Sequence, residues 1–310
     1  MDFDSIKKLV CDCKFVEIEY RYNGQNRKVY AECGWYSLTG SIKDRVAWQI
    51  LKDAYENGSL KKGDGIVEVS SGNMGISLVA IANLTGNPTI IIMPKSMSVE
   101  RKKLLKMYGA TLVEVEDFKE AFQLCNYYEN NGYFCTHQFD NLSNEKAHYE
   151  ITGKNILKKI TNIKSFVAGV GTSGTLMGVG RRLKELSGCV EIVAIEPEKA
   201  RIISGGELQH HKLQGLSDEV LPGLYNESIV DRVIQISDND AIAMAQKLNG
   251  ELSLGVGISA GANFLGCVLA GDNSVTILAD DNKKYISTDL SQRITTDLVD
   301  RVELLKVKYI

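Results

Sequence analysis

The sequence predicts an α/β protein whose open, twisted, mostly parallel sheets are covered by helices. Two observations carry this. Short β-rich runs alternate with helix-period segments along most of the 310 residues, and a glycine-rich loop, Gly169 to Thr175, joins one such strand to one such helix. The order opens with a hairpin, Phe15 to Tyr22 and Lys28 to Ala31, whose turn falls at Asn23-Gly24, a pair that accepts the φ angles of a tight reversal. Strands follow at 65–69, 88–93, 110–115, 165–169, 190–195 and 274–278. Helices are expected at 42–57, 75–84, 99–108, 119–130, 176–186 and 240–248. No repeat, linker or low-complexity tract interrupts the pattern.

With 44% hydrophobic and 24% charged residues, the chain can bury one large core or two subdomains around a cleft. A net charge of −3 gives no electrostatic case for nucleic acid or an anionic membrane as partner. No apolar stretch approaches the length of a membrane span, and Met1-Asp2-Phe3-Asp4 lacks the basic start of a secretion signal, so a cytoplasmic location is expected. Seven cysteines scattered from Cys11 to Cys267 fit reduced thiols better than a disulfide framework. Cys11 and Cys13 are too close together, and too far from any histidine, to argue for structural zinc; no metal is expected. His148 and the pair His210-His211 lack a third ligand or a nucleophile and are read as structural. Met93, Met97 and Met107 are read as packing residues.

The chemistry concentrates in three segments. Ser41-Ile42-Lys43-Asp44-Arg45 carries a lysine among small and polar residues, and Ser70-Ser71-Gly72-Asn73-Met74-Gly75 follows some thirty residues on. Such a lysine upstream of a loop able to grip a carboxylate is what an enzyme needs to hold pyridoxal 5′-phosphate as a Schiff base and bind an amino acid beside it. The third segment, Gly169-Val170-Gly171-Thr172-Ser173-Gly174-Thr175, lets backbone N–H groups approach a phosphate at a helix N-terminus. The same residues satisfy G-x-G-x-x-G, with Glu196 near the spacing of a ribose-binding acid, which opens a nicotinamide-dependent oxidoreductase reading. A dinucleotide site explains neither Lys43 nor the Asn73 loop, whereas a phosphorylated pyridine explains all three.

On these stretches the chain resembles the cysteine synthase and cystathionine β-synthase family of pyridoxal-phosphate enzymes, the tryptophan-synthase-β-like fold type II, across nearly its whole length. Further matches follow in order: Lys61-Lys62-Gly63-Asp64, Met93 to Leu105, Gln138-Phe139, His148 with Thr152-Gly153, Ala194 to Pro197, His211 to Gly215 and Gly257 to Ala262. The resemblance implies two three-layer subdomains with the cofactor cleft between them. Residues 1–38 with 147–310 would form the large one and 39–146 the small one, of which a mobile part near 84–130 would close over substrate. It also implies roles. Lys43 would carry the cofactor and then act as base on the α-proton; Asn73 would bond the cofactor's phenolic oxygen. Ser70, Ser71, Gly72, Met74 and Gln138 would bind the substrate carboxylate. Gly171, Thr172, Ser173, Gly174 and Thr175 would take the phosphate, and Ser259 would face the pyridine nitrogen, unless it merely caps a helix.

The implied reaction is β-replacement on a serine-type amino acid through an α-aminoacrylate, by default O-acetylserine plus sulfide to cysteine. Departures from the family pattern qualify the substrates. Ser37-Leu38 stands where Asn-Pro is usual, Met74 replaces a threonine as Ser70 does, and Ala279-Asp280-Asp281 replaces a proline with small polar residues. After Gly215 the family's glycine-rich stretch becomes Leu216-Ser217-Asp218-Glu219-Val220, placing two carboxylates where the second substrate would sit. Asp218 and Glu219 are therefore candidate catalytic residues that would favour water, a neutral thiol or an amine over hydrosulfide. The alternatives are consumption of cysteine with sulfide release, phosphoserine with an amine nucleophile, or a catalytically quiet binding paralogue. A homodimer is expected, with the C-terminal peptide of serine acetyltransferase as a further candidate partner.

Overall fold

Period-two alternation sorts the strand side chains onto two faces: in the run 192–195, Ile192 and Ala194 join one apolar cluster while Val193 and Ile195 join another. The computed structural model describes residues 2–70, 72–186, 188–217 and 221–310. Its first elements are α1 (Phe3–Val10), β1 (Phe15–Tyr22), β2 (Gln25–Cys33), α2 (Lys43–Asn57), β3 (Ile66–Val69), α3 (Asn73–Thr85), β4 (Thr89–Pro94), α4 (Val99–Met107), β5 (Thr111–Val115), α5 (Phe118–Asn130) and β6 (Phe134–Cys135). Then come α6 (Leu142–Ala147), a π-helical stretch (His148–Gly153), α7 (Lys154–Lys159), β7 (Ser165–Gly169), α8 (Gly174–Leu186), β8 (Glu191–Pro197), β9 (Arg232–Ile236), α9 (Asp238–Leu252), α10 (Ile258–Ala270), β10 (Ser274–Leu278), α11 (Asp297–Asp300) and β11 (Val302–Tyr309).

Two sheets result. One has the order β11-β1-β2-β10-β7-β8-β9, antiparallel among its first three strands and parallel thereafter. The other, β5-β4-β3-β6, is wholly parallel. On the larger sheet, α9 and α10 fill one face and α8 the other. On the smaller, α1 to α4 pack on one face and α5 on the other. The mostly parallel α/β class is thus the observed one. The hairpin turn has Asn23 at φ +49° and Gly24 at +77°, the pairing a type I′ reversal requires.

Several elements go beyond the sequence reading. Helix α10 is buried from Ile258 to Val268, its two polar residues Ser259 and Asn263 included, so it shows little of the amphipathic period that marks a surface helix. Strand β11 pairs with β1 along the sheet edge, and the Ile310 N–H donates to the Phe15 carbonyl at 3.0 Å; the terminal isoleucine is engaged with the sheet. Helix α1, the helical stretch 142–159 and strand β9 also lie outside the segments expected from the sequence. Met107 is a correction: it is 81% exposed, because it ends α4 on the solvent side, while Met93 is fully buried as expected.

Candidate active site

The N-terminus of α2, the loop after β3 and the loop after β7 line one cavity. Lys43 opens α2, and the turn before it is fixed by Asp44, whose carboxylate accepts from the Thr39 N–H at 2.7 Å and the Thr39 hydroxyl at 2.5 Å. Across the cavity, Lys43 Nζ donates to Thr172 Oγ1 at 3.3 Å. Asn73 opens α3. Its Nδ2 donates to Asp280 Oδ2 at 2.7 Å, and Asp280 is held in turn by the Tyr285 hydroxyl at 2.8 Å.

Ser70 is buried, and its Oγ accepts from the N–H groups of Gly75 at 2.8 Å and Gly72 at 3.2 Å, which fastens the loop to the start of α3. Gly72 leaves room for Arg101: a Cβ there would lie 2.5 Å from Arg101 Cδ. Gln138 Nε2 donates to the Val69 carbonyl at 2.9 Å. Beside it, Glu68 is fully buried and held well above the ordinary carboxylate range, chiefly by burial.

The loop 170–173 ends on the N-terminus of α8. Ser173 adopts φ +66°, a left-handed conformation rare for a non-glycine residue. A Cβ at Gly171 would sit 2.2 Å from the Gly215 carbonyl oxygen, and one at Gly174 would sit 2.1 Å from Asn144 Oδ1. Both positions exclude a side chain. Among the described residues the buried Ser173 Oγ and Asn73 Oδ1 have no hydrogen-bond partner, so the cavity wall offers polar atoms of the kind a polar ligand would satisfy.

The cavity therefore brings together Lys43, Ser70, Asn73, Met74, Gln138, Gly171, Thr172, Ser173, Thr175 and Ser259, while Gly72 and Gly174 support it from behind. Ser259 lies in the first turn of α10, whose N-cap is Gly257 with no side-chain capping bond, so the capping alternative for Ser259 does not hold. Ser71, Asp218 and Glu219 lie outside the described residues. Their neighbour Ser217 is buried, at φ +49°, and lines a second cavity of about 520 Å³ that shares Gln214, Gly215 and Leu216 with the first. His210, His211, Glu116 and Asp117 also line this second cavity.

Four residues of the site escaped sequence reading. Asn144 links two loops, donating from Nδ2 to the Gln138 carbonyl at 2.8 Å and to Thr172 Oγ1 at 2.9 Å. Asn263 holds the Gly169 N–H at 2.8 Å. Arg101 contacts Gln214 and donates to the Tyr285 hydroxyl at 2.9 Å, and Asp280 supports Asn73. Arg101 and Asp280 stand inside quoted motifs, but nothing local marks their partners. Glu196, the candidate ribose acid, accepts instead from the Ile203 N–H at 2.9 Å and the Ser204 hydroxyl, and is buried.

A family model described as pyridoxal-phosphate dependent enzyme matches residues 15–280. The chain belongs to this enzyme family. It is 37% identical over 299 residues to a cysteine synthase of Staphylococcus aureus, covering 93% of this chain and 96% of the relative. It is 33% identical over 303 residues to the O-ureido-L-serine synthase of Streptomyces lavendulae, covering 93% and 92%. Among solved structures, the hydrogen sulfide-producing enzyme of Fusobacterium nucleatum superposes with a TM-score of 0.95 at 38% identity, covering 99% of both chains. An aspartate-to-asparagine variant of that enzyme was crystallised with an α-aminoacrylate intermediate.

This enzyme is thus pyridoxal-phosphate dependent and takes a small amino-acid substrate, with the fold type II architecture of its relatives. The oxidoreductase alternative falls with that membership. Among the described residues, no helix is long and apolar enough to cross a membrane.

Proposed function

We propose that this enzyme replaces the β-substituent of a serine-type amino acid in the manner of a cysteine synthase, with O-acetylserine and sulfide as the default pair. The observation that carries the reading is the convergence of Lys43, the Asn73 loop with Gln138, and the 171–175 loop on one cavity. When bound, pyridoxal phosphate supplies an electron sink that acidifies the α-proton and eases departure of the β-substituent. The 171–175 loop and the α8 N-terminus would hold the phosphate. Asn73, steadied by Asp280, would hold the ring's phenolic oxygen, and Ser259 the ring nitrogen. Ser70, Ser71, Gly72, Met74 and Gln138 would hold the amino-acid carboxylate. Lys43 would anchor the cofactor and, once displaced, carry the α-proton; its 3.3 Å contact with Thr172 supports a position above the phosphate loop.

A second reading, cysteine consumption with sulfide release, is favoured by Asp218 and Glu219. They follow Ser217, which lines the cavity next to Lys43's own. The aminoacrylate-bearing aspartate variant of the Fusobacterium relative supports a role for a carboxylate after the β-substituent has left. In either direction we infer a cytoplasmic homodimer, in keeping with the family. A C-terminal carboxylate such as that of the serine acetyltransferase tail would suit the Ser70–Gln138 wall. The small sheet with α2 to α5 would form the 39–146 subdomain, with 84–130 closing on substrate, while α1 from the 1–38 segment packs against it.

Two measurements test this. Borohydride reduction followed by peptide mapping is expected to find cofactor on Lys43, and a label on another lysine overturns the assignment. Titration with O-acetylserine, phosphoserine, serine and cysteine, followed by the cofactor's visible absorbance, identifies the amino acid whose β-substituent leaves. A response to none of them overturns the reaction class.

A further inference from the structure

A buried thiol pair lies away from the catalytic cavity, on the α5 side of the small sheet. Cys125 on α5 and Cys135 at the end of β6 are 3% and 7% exposed, with their sulfurs 3.0 Å apart. Cys135 reaches the wall of a surface cavity of about 510 Å³ that is also lined by His137 and Glu129. Its sulfur faces His137 Nδ1 at 3.7 Å, and the opposite ring nitrogen, Nε2, meets Glu129 Oε1 at 2.7 Å.

These three side chains are close enough to suggest a metal site, but the ring geometry argues otherwise. A chelate needs one imidazole nitrogen to converge with the other ligands on a point about 2.0–2.3 Å from each. Here the thiol and the carboxylate touch opposite edges of the ring, which is the arrangement of a proton relay. His137 is also held in an uncommon backbone conformation, φ +48°, with its carbonyl accepting from the N–H groups of Asp140 and Asn141 at 2.9 Å each.

We propose that Cys135 and Cys125 form a reversible dithiol–disulfide couple in which Cys135 meets a small peroxide from the cavity and Cys125 resolves it. In the first step the Cys135 sulfur attacks one peroxide oxygen, and the O–O bond breaks. The departing hydroxide takes the His137 ring proton and leaves as water; the thiol proton of Cys135 replaces it on the ring. The Cys125 sulfur then attacks the sulfenic sulfur, the S–O bond breaks and a second water leaves with the Cys125 proton. Two thiols and hydrogen peroxide become one disulfide and two waters.

Glu129 on Nε2 supports the ring as the proton passes through it. Contact with the Cys135 sulfur, opposed by burial and assisted by Glu129, raises His137 to about 9. Contact with Cys125 and burial push the Cys135 thiol up, so the reaction is expected to depend on the relay for its rate. The link would tie α5 to β6 three residues before Gln138, and Thr136 between them contacts the buried Glu68 beside Gln138. A severalfold rise in amino-acid KM on oxidation is expected; this consequence alone rests on the carboxylate role proposed for Gln138.

The test treats the holoenzyme with a small excess of hydrogen peroxide, alkylates the remaining thiols and digests at Glu129, which separates the two cysteines. The expected product is a joined pair of peptides lacking two hydrogens, separated again by dithiothreitol. Cys125→Ser should instead leave a dimedone-reactive sulfenic acid on Cys135, and His137→Gln should slow its formation at least about tenfold. Recovery of both cysteines alkylated overturns the proposal. So does oxidation confined to the exposed Cys189, or a sulfinic acid on Cys135 without the cross-link. If either variant fails to fold, the peptide map of the unsubstituted enzyme decides. A cross-link without a change in KM would leave the couple standing and remove only its coupling to the amino-acid site.

Discussion

His148 grips the Thr175 hydroxyl through Nε2 at 3.1 Å, and hydrogen-bond chemistry decides which of the two donates. Arginine can only donate, and Arg45 Nη1 meets Thr152 Oγ1 at 2.7 Å. Among the described residues the only other partner of the Thr152 hydroxyl is His148 Nδ1, 3.0 Å away; donation there satisfies the Thr152 hydrogen, places the ring hydrogen on Nε2 and makes Thr175 the acceptor. Thr175 keeps its own hydrogen for the cavity it lines. At the far end, Arg45 is fixed by a buried ion pair with Glu32.

Breaking this relay should loosen the cofactor without touching the amino acid. His148→Phe removes the donor to Thr175 and is expected to cost about 1 kcal/mol, roughly fivefold in cofactor Kd. Thr175→Ala removes the proposed phosphate contact itself and should cost about 1.5–3 kcal/mol. Gln138→Ala should raise amino-acid KM and leave cofactor Kd unchanged. Equilibrium dialysis with pyridoxal phosphate, alongside KM, separates the loops; equal effects of Gln138→Ala and Thr175→Ala on cofactor Kd would contradict the division.

Acid should destabilise the fold through the same histidine. Burial, with the Arg45 and Lys43 charges adding to it, holds His148 well below the ordinary value of 6.5. Between that depressed folded value and 6.5 the unfolded chain binds a proton that the folded chain does not, so stability falls as pH drops through this window. Above pH 6.5 the ring contributes no pH dependence. Urea midpoints measured downward from pH 7 should decline, and the decline should be shallower in His148→Phe.

Gly171→Ala should damage the phosphate loop more than its size suggests. The added Cβ would lie 2.2 Å from the Gly215 carbonyl oxygen, a backbone atom that cannot rotate away. Overpacking of this kind costs about 1–3 kcal/mol, and the displaced loop should bind pyridoxal phosphate poorly. A parallel fall in thermal midpoint and cofactor affinity is expected, whereas Gly250→Ala, whose Cβ meets nothing within 4 Å at a φ open to any residue, should leave the cofactor in place.

The two acids after Ser217 give the test of direction. Asp218→Asn and Glu219→Gln should each be assayed for cysteine-dependent sulfide release and for O-acetylserine turnover. If one carboxylate activates the incoming nucleophile, its amide should still release sulfide once per active site and then stall. Multiple turnovers at the parent rate in both variants would return the assignment to ordinary cysteine synthesis.

The fold class, the hairpin and the three chemical segments are legible along the chain, because each is a matter of neighbouring residues. Alternation sets strand faces, Asn23-Gly24 sets a turn, and the glycines of 169–174 permit a loop that folds back on a helix N-terminus. What supports those segments was decided only by tertiary structure. Asn73 and its partner Asp280 are 207 residues apart, Arg101 and Gln214 are 113, and Arg45 and Thr152 are 107. No local propensity encodes such a pair; it exists once the two sheets have brought their loops to one cavity. Helix α10 was illegible for a related reason: a helix covered on every side carries no polar face to reveal its period. His148 shows the division most plainly, since a lone histidine reads as structural until folding sets Thr152 against one ring nitrogen and Thr175 against the other.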